Sequence, residues 1–299
     1  MNISIIGANS YIARNFIFFL EKRHAHSDNY VLNLYDFSNE HLDGSRNYTP
    51  VSILDPESVK QINMNCDLIF IFVGKTGTVN GFDEFSTFLD VNEKSLLTVL
   101  NEYRRQNSSA KLIFPSTRLV YKGMNKVLKE NSEKEFKTIY AMNKWACEKY
   151  LELYHMVFNI NYCIFRICIP YGSLIQGASS YGTAEFMLKK AMNGENITLY
   201  GDGSVRRTLI HMEDLCSALI EGAINNNCIN DVYNIGGEDY SLKEMATEIA
   251  KKYGVNIQYV PYPDIALKIE SGSTVFDDTK LSSIIGKSSK KKFTDWISE

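Results

Sequence analysis

Short apolar runs alternate with helical patterns along the first half of the chain. Continuous apolar runs predict buried strands at 2–6, 31–35, 51–54, 66–73, 111–115 and 162–169. Apolar residues at helical spacing predict helices at 10–23, 86–106 and 138–158, and a short helix is expected from Pro56. This order of strands and helices predicts an α/β fold built on a doubly wound parallel sheet.

The second half of the chain is less regular. Its patterns predict helices at 184–193, 211–223 and 242–253, and strands at 197–200 and 257–260. Such mixed elements are typical of a smaller mixed α/β domain beside a larger sheet domain. We therefore expect a C-terminal domain that differs in architecture from the first half.

Composition argues against several classes of protein. The 299 residues carry a formal net charge of −3, so general affinity for nucleic acid is not expected. The six cysteines form no C-x-x-C pair, which indicates buried thiols in a reducing compartment, and we identify no metal site. No apolar stretch is long enough to cross a bilayer, and residues 3–6 are too short for a signal peptide core. We expect a cytoplasmic protein without membrane partners.

Residues 5–13, Ile-Ile-Gly-Ala-Asn-Ser-Tyr-Ile-Ala, lie where the first strand turns into the first helix. Dinucleotide-binding proteins place a glycine-rich turn there, so that the pyrophosphate meets the helix N-terminus. Of the three usual glycine positions only Gly7 is glycine, whereas Ser10 and Ala13 occupy the others. Both still permit close backbone approach and helix packing, so the loop predicts a Rossmann-type site. The loop residues expected at the cofactor are Gly7, Asn9, Ser10, Tyr11 and Ile12.

Asp36 ends the second predicted strand, 23 residues after Ala13. A carboxylate there accepts hydrogen bonds from the ribose hydroxyls and repels a 2′-phosphate, so it favours NAD over NADP. The alternative is a turn aspartate, because Asp-Phe-Ser-Asn is also a good turn sequence. We expect NAD as the cofactor.

The loop and the element order together suggest two domains. We assign 1–170 to a dinucleotide-binding domain, to which 207–236 threads back. The substrate-binding domain is expected to comprise 171–206 and 237–299.

Tyr140 and Lys144 are four residues apart, on one face of the helix predicted at 138–158. A lysine ammonium beside a phenol favours the phenolate, so we expect the pKa of Tyr140 to fall below about 10. A tyrosine so placed is usable as a general base near neutral pH. Thr117 follows a predicted strand and is expected to hold the same substrate oxygen. The alternative is a surface pair, since this spacing also arises by chance.

Several segments together resemble the extended short-chain dehydrogenase/reductases, and within them the NAD-dependent nucleotide-sugar epimerases and dehydratases. Pro115-Ser-Thr-Arg-Leu-Val-Tyr-Lys-Gly is similar to the family's Ser-Ser/Thr-x-x-Val-Tyr-Gly segment, and Tyr140-x-x-x-Lys144 to its catalytic pair. The other matching segments are 166–172 (Arg-Ile-Cys-Ile-Pro-Tyr-Gly), 197–214 (with Tyr-Gly-Asp-Gly and Arg-Arg-Thr-Leu-Ile-His) and 233–237 (Tyr-Asn-Ile-Gly-Gly). The resemblance covers nearly the whole chain.

The resemblance implies roles for individual residues. Tyr140 would be the base, Lys144 would bind the nicotinamide ribose, and Thr117 would bind the reacting oxygen. Further cofactor contacts are implied for Asp55 (at the adenine), Val73, Gly74, Lys75, Asn92 and Ile169. Substrate contacts are implied for Tyr171, for Tyr200 (beside the nucleoside base) and for Arg207 (at the diphosphate of a nucleoside-diphosphate sugar).

Simpler roles stay open for several of these positions. Asn92 could be a polar contact within a helix, Asp214 is expected to be structural, and Tyr171 could only pack. Arg206 could share the work of Arg207. The chain shows no clear second substrate arginine, although Lys268 is near where one is expected.

The reaction stays open between an epimerase, which retains its NAD, and an NAD(P)H-dependent 4-ketoreductase of nucleotide sugars. Related sugar dehydratases carry an Asp-Glu pair, or a close variant, directly after the catalytic Thr, whereas Arg118 and Leu119 stand here. Leucine cannot transfer protons, so the sequence argues against dehydration. A non-catalytic dinucleotide sensor is the alternative from another class, but such proteins usually lose the Tyr or the Lys. We expect an epimerase.

Members of the family commonly form dimers through the helix that carries Tyr and Lys and the helix before it. A homodimer of this kind is expected here. The apolar residues compatible with such an interface, and equally with the core, are Leu96, Leu97, Leu100, Leu151 and Tyr154.

Overall fold

The computed structural model describes residues 1–24, 30–44, 47–178, 182–287 and 290–298, and it confirms the α/β class. The strands are β1 (Asn2–Ile6), β2 (Val31–Asp36), β3 (Tyr48–Pro50), β4 (Leu68–Ile71), β5 (Lys111–Thr117), β6 (Val127–Leu128), β7 (Tyr162–Ile167), β8 (Ile169–Tyr171), β9 (Ile197–Tyr200), β10 (Arg206–His211), β11 (Asp231–Asn234), β12 (Glu238–Ser241), β13 (Ile257–Val260) and β14 (Val275–Phe276).

The helices differ widely in length. They are α1 (Tyr11–His24), α2 (Pro56–Val59), α3 (Phe85–Phe88), α4 (Ser95–Arg105), α5 (Ile139–Phe158), α6 (Thr183–Met192), α7 (Met212–Ile224), α8 (Leu242–Tyr253), α9 (Asp264–Ile269), α10 (Thr279–Ile285) and α11 (Phe293–Ser298). A π-helical segment, Leu89–Lys94, joins α3 to α4, and a 3-10 turn, Arg118–Val120, follows β5.

Seven strands form one parallel sheet in the order β11-β7-β5-β4-β1-β2-β3. The chain runs from β1 outward to β3, then crosses back to β4 and continues to the opposite edge. Ile6 is paired with Tyr35 of β2 on one side and with Ile71 of β4 on the other. The reversal between β1 and β4 leaves a crevice at the carboxyl ends of these strands, where doubly wound folds bind ligands.

Two apolar clusters cover the two faces of this sheet. Side chains alternate between the clusters along a strand, so Phe70 belongs to one and Ile71 to the other. Each strand is therefore buried on both faces, which explains its continuous apolar sequence. Leu96, Leu100 and Leu151 are core residues with exposures of 1%, 0% and 0%, so they are not available to a dimer interface.

A second group of elements contains the three-stranded sheet β12-β10-β8 and the pair β13-β9. A third apolar cluster packs these strands against α6, α8 and α11. The segment 207–236 divides between the two groups, because β10 joins the small sheet while β11 pairs with β7 of the large one. Conversely, β14 pairs with β6, and α10 packs against α7 and β11, although the sequence assigns both elements to the substrate domain.

The strand predicted at 51–54 is wrong. β3 ends one residue earlier, and the predicted segment turns instead, with the Asp55 N–H donating to the Ser52 carbonyl at 3.0 Å. This turn leads directly into α2, whose first turn Asp55 caps. Turn and cap chemistry therefore outweighs the apolar side chains of this segment.

Two other predicted elements are interrupted. The helix expected at 86–106 contains the π-helical segment Leu89–Lys94. The strand expected at 162–169 breaks at Cys168, because the chain leaves the large sheet there and continues in the small one. No helix in the described part of the chain is both long enough and apolar enough for a bilayer crossing.

Candidate active site

A cleft of about 530 Å³ opens at the carboxyl ends of β1, β4 and β5. Its walls come from the loop after β1, the segment after β4, the end of β5, the first turns of α5 and the β7–β8 junction. The lining residues that the sequence singled out are Asn9, Ser10, Tyr11, Ile12, Val73, Gly74, Thr117, Tyr140 and Lys144. The fold thus brings the phosphate loop and the Tyr/Lys pair to one cleft.

The loop after β1 has the geometry of a phosphate cradle. Gly7 has φ +86°, and a Cβ there would lie 2.6 Å from the backbone nitrogen of Val73, so only glycine fits. Ala13, in the first turn of α1, is fully buried in the core. The Ser10 hydroxyl is buried and has no hydrogen-bond partner among the described residues. An unpaired hydroxyl at a helix N-terminus suits a phosphate oxygen, so the loop fits a dinucleotide pyrophosphate.

Asp36 fixes the position of this loop. One carboxylate oxygen accepts a hydrogen bond from the Asn9 N–H at 2.8 Å, and the other accepts one from the Phe37 N–H at 2.7 Å. Each oxygen retains a further lone pair, which ribose hydroxyls could use. Both sequence interpretations of Asp36, as a turn residue and as a ribose ligand, are compatible with this geometry.

Lys144 is buried and Tyr140 is half-buried beside the cleft. The Lys144 ammonium donates to the Pro115 carbonyl at 2.8 Å and lies 4.3 Å from the centre of the Phe114 ring. Burial lowers the pKa of Lys144 to about 8. Burial raises the pKa of Tyr140 to about 12, and a hydrogen bond with the Thr117 side chain acts in the opposite direction. The expected fall in the Tyr140 pKa is therefore absent from the protein itself, because desolvation of the phenolate dominates.

Local structure positions Thr117 and the helix that carries Tyr140. The Thr117 hydroxyl accepts from the Leu119 N–H at 3.2 Å and so caps the 3-10 turn. Tyr140 stands in the first turn of α5, which Thr138 caps by accepting from the Ala141 N–H at 3.1 Å. One cap holds the Thr117 hydroxyl, and the other fixes the start of the helix that carries Tyr140.

The π-helical segment holds the chain after β4. Asn92 accepts a hydrogen bond from the Lys75 N–H at 2.9 Å and donates to the Lys75 carbonyl at 3.1 Å. A Cβ on Gly74 would lie 3.3 Å from the Asn92 amide oxygen and 3.7 Å from the Lys144 nitrogen. The Lys75 ammonium pairs with Glu84 at 2.5 Å, so its charge is occupied there. Asn92 therefore positions the backbone beside the cleft, which is a common use of π-helical turns.

A buried ion pair supports the floor of the cleft, and the sequence analysis missed it. Glu148 accepts from Arg166 through two bonds of 3.0 and 2.6 Å, and both side chains are almost fully buried. Ser116 donates to the same carboxylate, and Arg166 also donates to the Tyr121 hydroxyl at 2.7 Å. The available signal was the spacing of Glu148, four residues after Lys144 on the same helix.

Arg207 is buried behind the cleft, while Arg206 faces the surface. The Arg207 guanidinium pairs with Glu270 at 2.5 Å and also donates to the Gly272 carbonyl. Arg206 pairs with Asp239 at 2.9 Å, and its side chain is 39% exposed. Of the two arginines, only Arg207 lies on the interior side of β10.

Tyr200 lies at the end of β9 and packs on Tyr262. Its ring centre is 5.4 Å from that of Tyr262, and the residue is 43% exposed. Burial raises the pKa of Tyr262, the charge of Glu270 raises it further, and Arg207 lowers it. Tyr262 therefore lies within the electrostatic influence of the Arg207–Glu270 pair, and Tyr200 packs on Tyr262. The implied place of Tyr200 beside a nucleoside stays a prediction.

Two implied contacts need correction. Tyr171 has no exposed surface and packs against Phe293 and Trp296, with ring centres 5.2 and 5.0 Å away, so it is a core residue. Ile169 packs in the cluster of the small domain, and its neighbours Cys168 and Pro170 line the cleft instead. The junction between β7 and β8 changes which side chains face the cleft.

Two acidic residues have structural partners. Asp55 caps α2 by accepting from the Glu57 N–H at 3.0 Å and is not among the residues that line the cleft, so its adenine contact stays a prediction. Asp214 accepts from the Lys290 and Lys291 N–H groups at 2.7 and 2.8 Å, as a structural aspartate should. Within the described residues no group of three or more His, Cys, Asp or Glu side chains is arranged to hold a metal ion.

Comparison with known proteins yields matches over most of the chain. Residues 3–236 match the model of the NAD dependent epimerase/dehydratase family. The CDP-paratose 2-epimerase of Salmonella typhi is 24% identical over 267 residues, which cover 78% of this chain and 78% of that protein. The UDP-N-acetyl-alpha-D-glucosaminuronate decarboxylase of Bacillus cytotoxicus is 25% identical over 217 residues, which cover 70% of this chain and 66% of that protein.

A solved structure shows the same fold. The UDP-glucuronic acid 4-epimerase from Bacillus cereus, solved with UDP-glucuronic acid and NAD, matches with a TM-score of 0.86 and 19% identity. The match covers 100% of this chain and 97% of the other. The family match spans the phosphate loop and the Tyr/Lys helix that meet at the cleft, and the chain therefore belongs to the NAD-dependent epimerase/dehydratase family, whose cofactor is NAD.

Proposed function

We propose that the protein is an epimerase of nucleoside-diphosphate sugars that acts through a transient keto sugar. The observation that carries this proposal is the meeting of Tyr140, Thr117 and the phosphate loop at one cleft. A base and a hydroxyl on one substrate oxygen, beside a dinucleotide, suit the removal of a proton and a hydride from one carbon.

Each residue of this site has a proposed task. Tyr140 accepts the proton of a sugar hydroxyl, and Thr117 donates a hydrogen bond to the same oxygen and keeps it in place. Lys144, held by the Pro115 carbonyl, contributes a buried positive charge and binds the nicotinamide ribose. When bound, NAD supplies the hydride acceptor and a positive ring charge that favours the Tyr140 phenolate. An epimerase then returns the hydride to the other face of the keto sugar.

The residues after Thr117 argue against a dehydratase. Elimination of water needs an acid and a base at the sugar, and the dehydratases that this chain resembles place them directly after the threonine. Here Arg118 and Leu119 occupy these positions. A leucine has no titratable proton, and an arginine remains protonated across the working pH range. The absence of both carboxylates at this position supports an epimerase.

A ketoreductase is the second candidate, and Ser10 is the observation that favours it. Serine replaces a glycine in the phosphate loop, so the cofactor could bind less tightly and exchange between turnovers. The test is the dinucleotide content of protein purified without added nucleotide. About one NAD(H) per chain supports an epimerase that recycles its cofactor. Protein that is empty but binds added NADPH supports the ketoreductase.

The proposed substrate contacts follow the elements behind the cleft. Arg207 is proposed to bind the diphosphate, because a guanidinium fork matches phosphate oxygens. Tyr200 is proposed to border the nucleoside base. The nucleotide itself is open, since one relative is named for a CDP sugar and another for a UDP sugar. Panels of CDP-, UDP-, dTDP- and GDP-sugars therefore form the first substrate screen.

The outer face of α5 supports a homodimer. Its side chains Leu153, Met156 and Val157 are 47%, 73% and 53% exposed, although all three are apolar. Phe85 and Leu89, on the preceding helical segment, are 55% and 44% exposed. Exposed apolar side chains on adjacent helical segments are typical of a surface that a second copy covers. The six unpaired cysteines are compatible with the proposed reducing compartment.

A further inference from the structure

Arg118 is a cation beside the catalytic threonine with neutral partners only. It follows Thr117 directly, at the start of the 3-10 turn, and is half-buried. One terminal nitrogen donates to the hydroxyls of Ser271 and Thr274 at 3.4 and 3.3 Å. Both distances are long for hydrogen bonds to oxygen, so these contacts hold the guanidinium weakly.

No carboxylate in the described residues forms an ion pair with Arg118. The nearest candidate, Glu270, already pairs with Arg207 at 2.5 Å and accepts from the Gly272 N–H at 3.0 Å. The Nε and second terminal nitrogen of Arg118 have no hydrogen-bond partner in the described part of the chain. These two nitrogens form the side of a guanidinium that binds two oxygens at once. Glu270 is therefore the partner of Arg207, and the charge of Arg118 has no ion-pair partner in the described part of the chain.

The surroundings of Arg118 penalise this charge. Burial lowers the pKa of Arg118 to about 9, Arg207 lowers it further, and Glu270 acts in the opposite direction. On the cleft side, burial raises the pKa of the Cys168 thiol to about 12, and the charge of Arg118 partly reverses that effect. Cys168 lines the cleft, as does Thr117, which directly precedes Arg118 in the chain. An anion at this point would offset the penalty of the buried charge.

We propose that Arg118 binds a carboxylate on the sugar, so that the substrates are nucleotide-linked acidic sugars. This inference rests on the proposed function, because it requires a nucleotide sugar in the cleft. The planar fork of Arg118 matches the two oxygens of a carboxylate. Arg118 directly follows Thr117, the residue proposed to bind the reacting oxygen, whereas Arg207 on β10 is the residue proposed for the diphosphate.

The test compares nucleotide sugars that differ only at one carbon. UDP-glucuronic acid carries a carboxylate where UDP-glucose carries a hydroxymethyl group. The matched dTDP and CDP pairs extend the panel. Calorimetric binding is measured with NAD-loaded wild type, Arg118→Gln, Arg118→Lys and the surface control Arg206→Gln. The wild type should bind the acidic sugar about 10- to 100-fold more tightly, as expected for a charge-assisted bidentate bond.

The variants should remove this preference selectively. Arg118→Gln should bind the acidic and the neutral sugar with the same affinity, equal to that of the wild type for the neutral sugar. Arg118→Lys should keep part of the preference for the acidic sugar, because it retains the positive charge without the planar fork. Arg206→Gln should behave as the wild type. The proposal is overturned if the wild type does not prefer the acidic sugar, or if Arg118→Gln weakens UDP, dTDP or CDP alone, which would assign Arg118 to the diphosphate.

Failure of this inference can be separated from failure of the proposed function. If the acidic and neutral sugars bind equally well, the nucleotide-sugar site stands and the role of Arg118 is wrong. If no nucleotide sugar binds to NAD-loaded protein, both proposals are wrong. Thermal melting and NAD content verify that each variant is folded, and the preference of the wild type tests the inference even where a variant is unstable.

Discussion

Arg207 and Glu270 are 63 residues apart in sequence, and their charged groups lie 2.5 Å apart in the structure. The arginine side chain is 3% exposed and the glutamate side chain 24%. Glu270 occupies one terminal nitrogen of the guanidinium that we propose for the substrate diphosphate, and the other terminal nitrogen donates to the carbonyls of Arg206 and Gly272. A diphosphate that binds Arg207 must displace Glu270 or share the arginine with it.

Glu270→Gln should tighten the binding of nucleoside diphosphates and lower thermal stability. The substitution removes the competing carboxylate, so affinity should rise about tenfold, while the buried Arg207 loses its ion-pair partner. Calorimetry with UDP, CDP and dTDP measures the affinity, and thermal unfolding measures the stability. Asp239→Asn, which removes the surface partner of Arg206, is the control and should change neither by much. Weaker nucleotide binding in Glu270→Gln would contradict this account of Arg207.

Tyr140→Phe should abolish turnover and leave the cofactor site intact. Loss of a general acid–base group lowers turnover by about 10²- to 10⁴-fold. NAD content after purification should match the wild type, because the phosphate loop is untouched. Tyr150→Phe removes a hydroxyl from the same helix, where Tyr150 donates to Glu93 at 2.9 Å, and should remain active. Normal turnover in Tyr140→Phe would favour a non-catalytic binding protein.

Gly7→Ala should eliminate NAD binding. A Cβ at this position would lie 2.6 Å from the Val73 nitrogen, and the positive φ adds strain of about 1–2 kcal/mol. Gly44→Ala is a matched control, because Gly44 has φ +73° but no atom within 4 Å of the added carbon. It should show the strain alone and keep NAD. Fluorescence titration with NADH distinguishes the two variants, and equal affinities would contradict the role of the loop.

Lys144 should make stability rise with pH in the alkaline range. Its pKa is about 8 in the folded protein against an ordinary 10.5, so the folded state binds fewer protons than the unfolded state between these values. The free energy of unfolding contributed by this group therefore increases as pH rises from about 8 to 10.5. Subtracting the pH profile of Lys144→Met from that of the wild type, by denaturant unfolding, isolates this contribution. A flat difference would show that the ammonium is not desolvated.

Met156→Glu should convert the proposed homodimer to monomers. Met156 is 73% exposed on the apolar outer face of α5, and a carboxylate there would be buried without a partner in the dimer. Met192→Glu, at a 62% exposed methionine on α6, is the control and should leave the mass unchanged. Light scattering after size-exclusion chromatography measures the mass. A monomeric wild type would contradict the proposal.

The sequence predicts those parts of the fold that depend on local patterns. The continuous apolar run of β4 and the loop at Gly7 are local signals, and both identify the sheet domain and its crevice. The small sheet is harder to predict from the sequence, because β10 pairs with strands that are far away in sequence. The same reason explains why 207–236 was assigned to one domain although its strands divide between two sheets.

The candidate site is predictable only where its residues lie on one helix or one loop, so that their spacing in the sequence reveals them. Tyr140 and Lys144 share α5, and Thr117 ends β5, so their meeting at one cleft follows from the doubly wound order. The pKa of Tyr140 did not follow, because burial is a property of the whole fold. The partner of Arg207 was likewise hidden, since Glu270 returns from the C-terminal region. Tyr171 belongs to a family motif and was expected at the substrate, but it is buried in the core.

The most direct test of the proposed epimerase is turnover without added cofactor. Protein purified without nucleotide is incubated with the CDP-, UDP-, dTDP- and GDP-sugar panel, and the products are followed by NMR while absorbance reports any reduced cofactor. We expect one sugar to convert to an epimer over many turnovers per enzyme, with no net accumulation of NADH. Conversion that requires stoichiometric NADH or NADPH, or that yields a dehydrated sugar, would contradict the account.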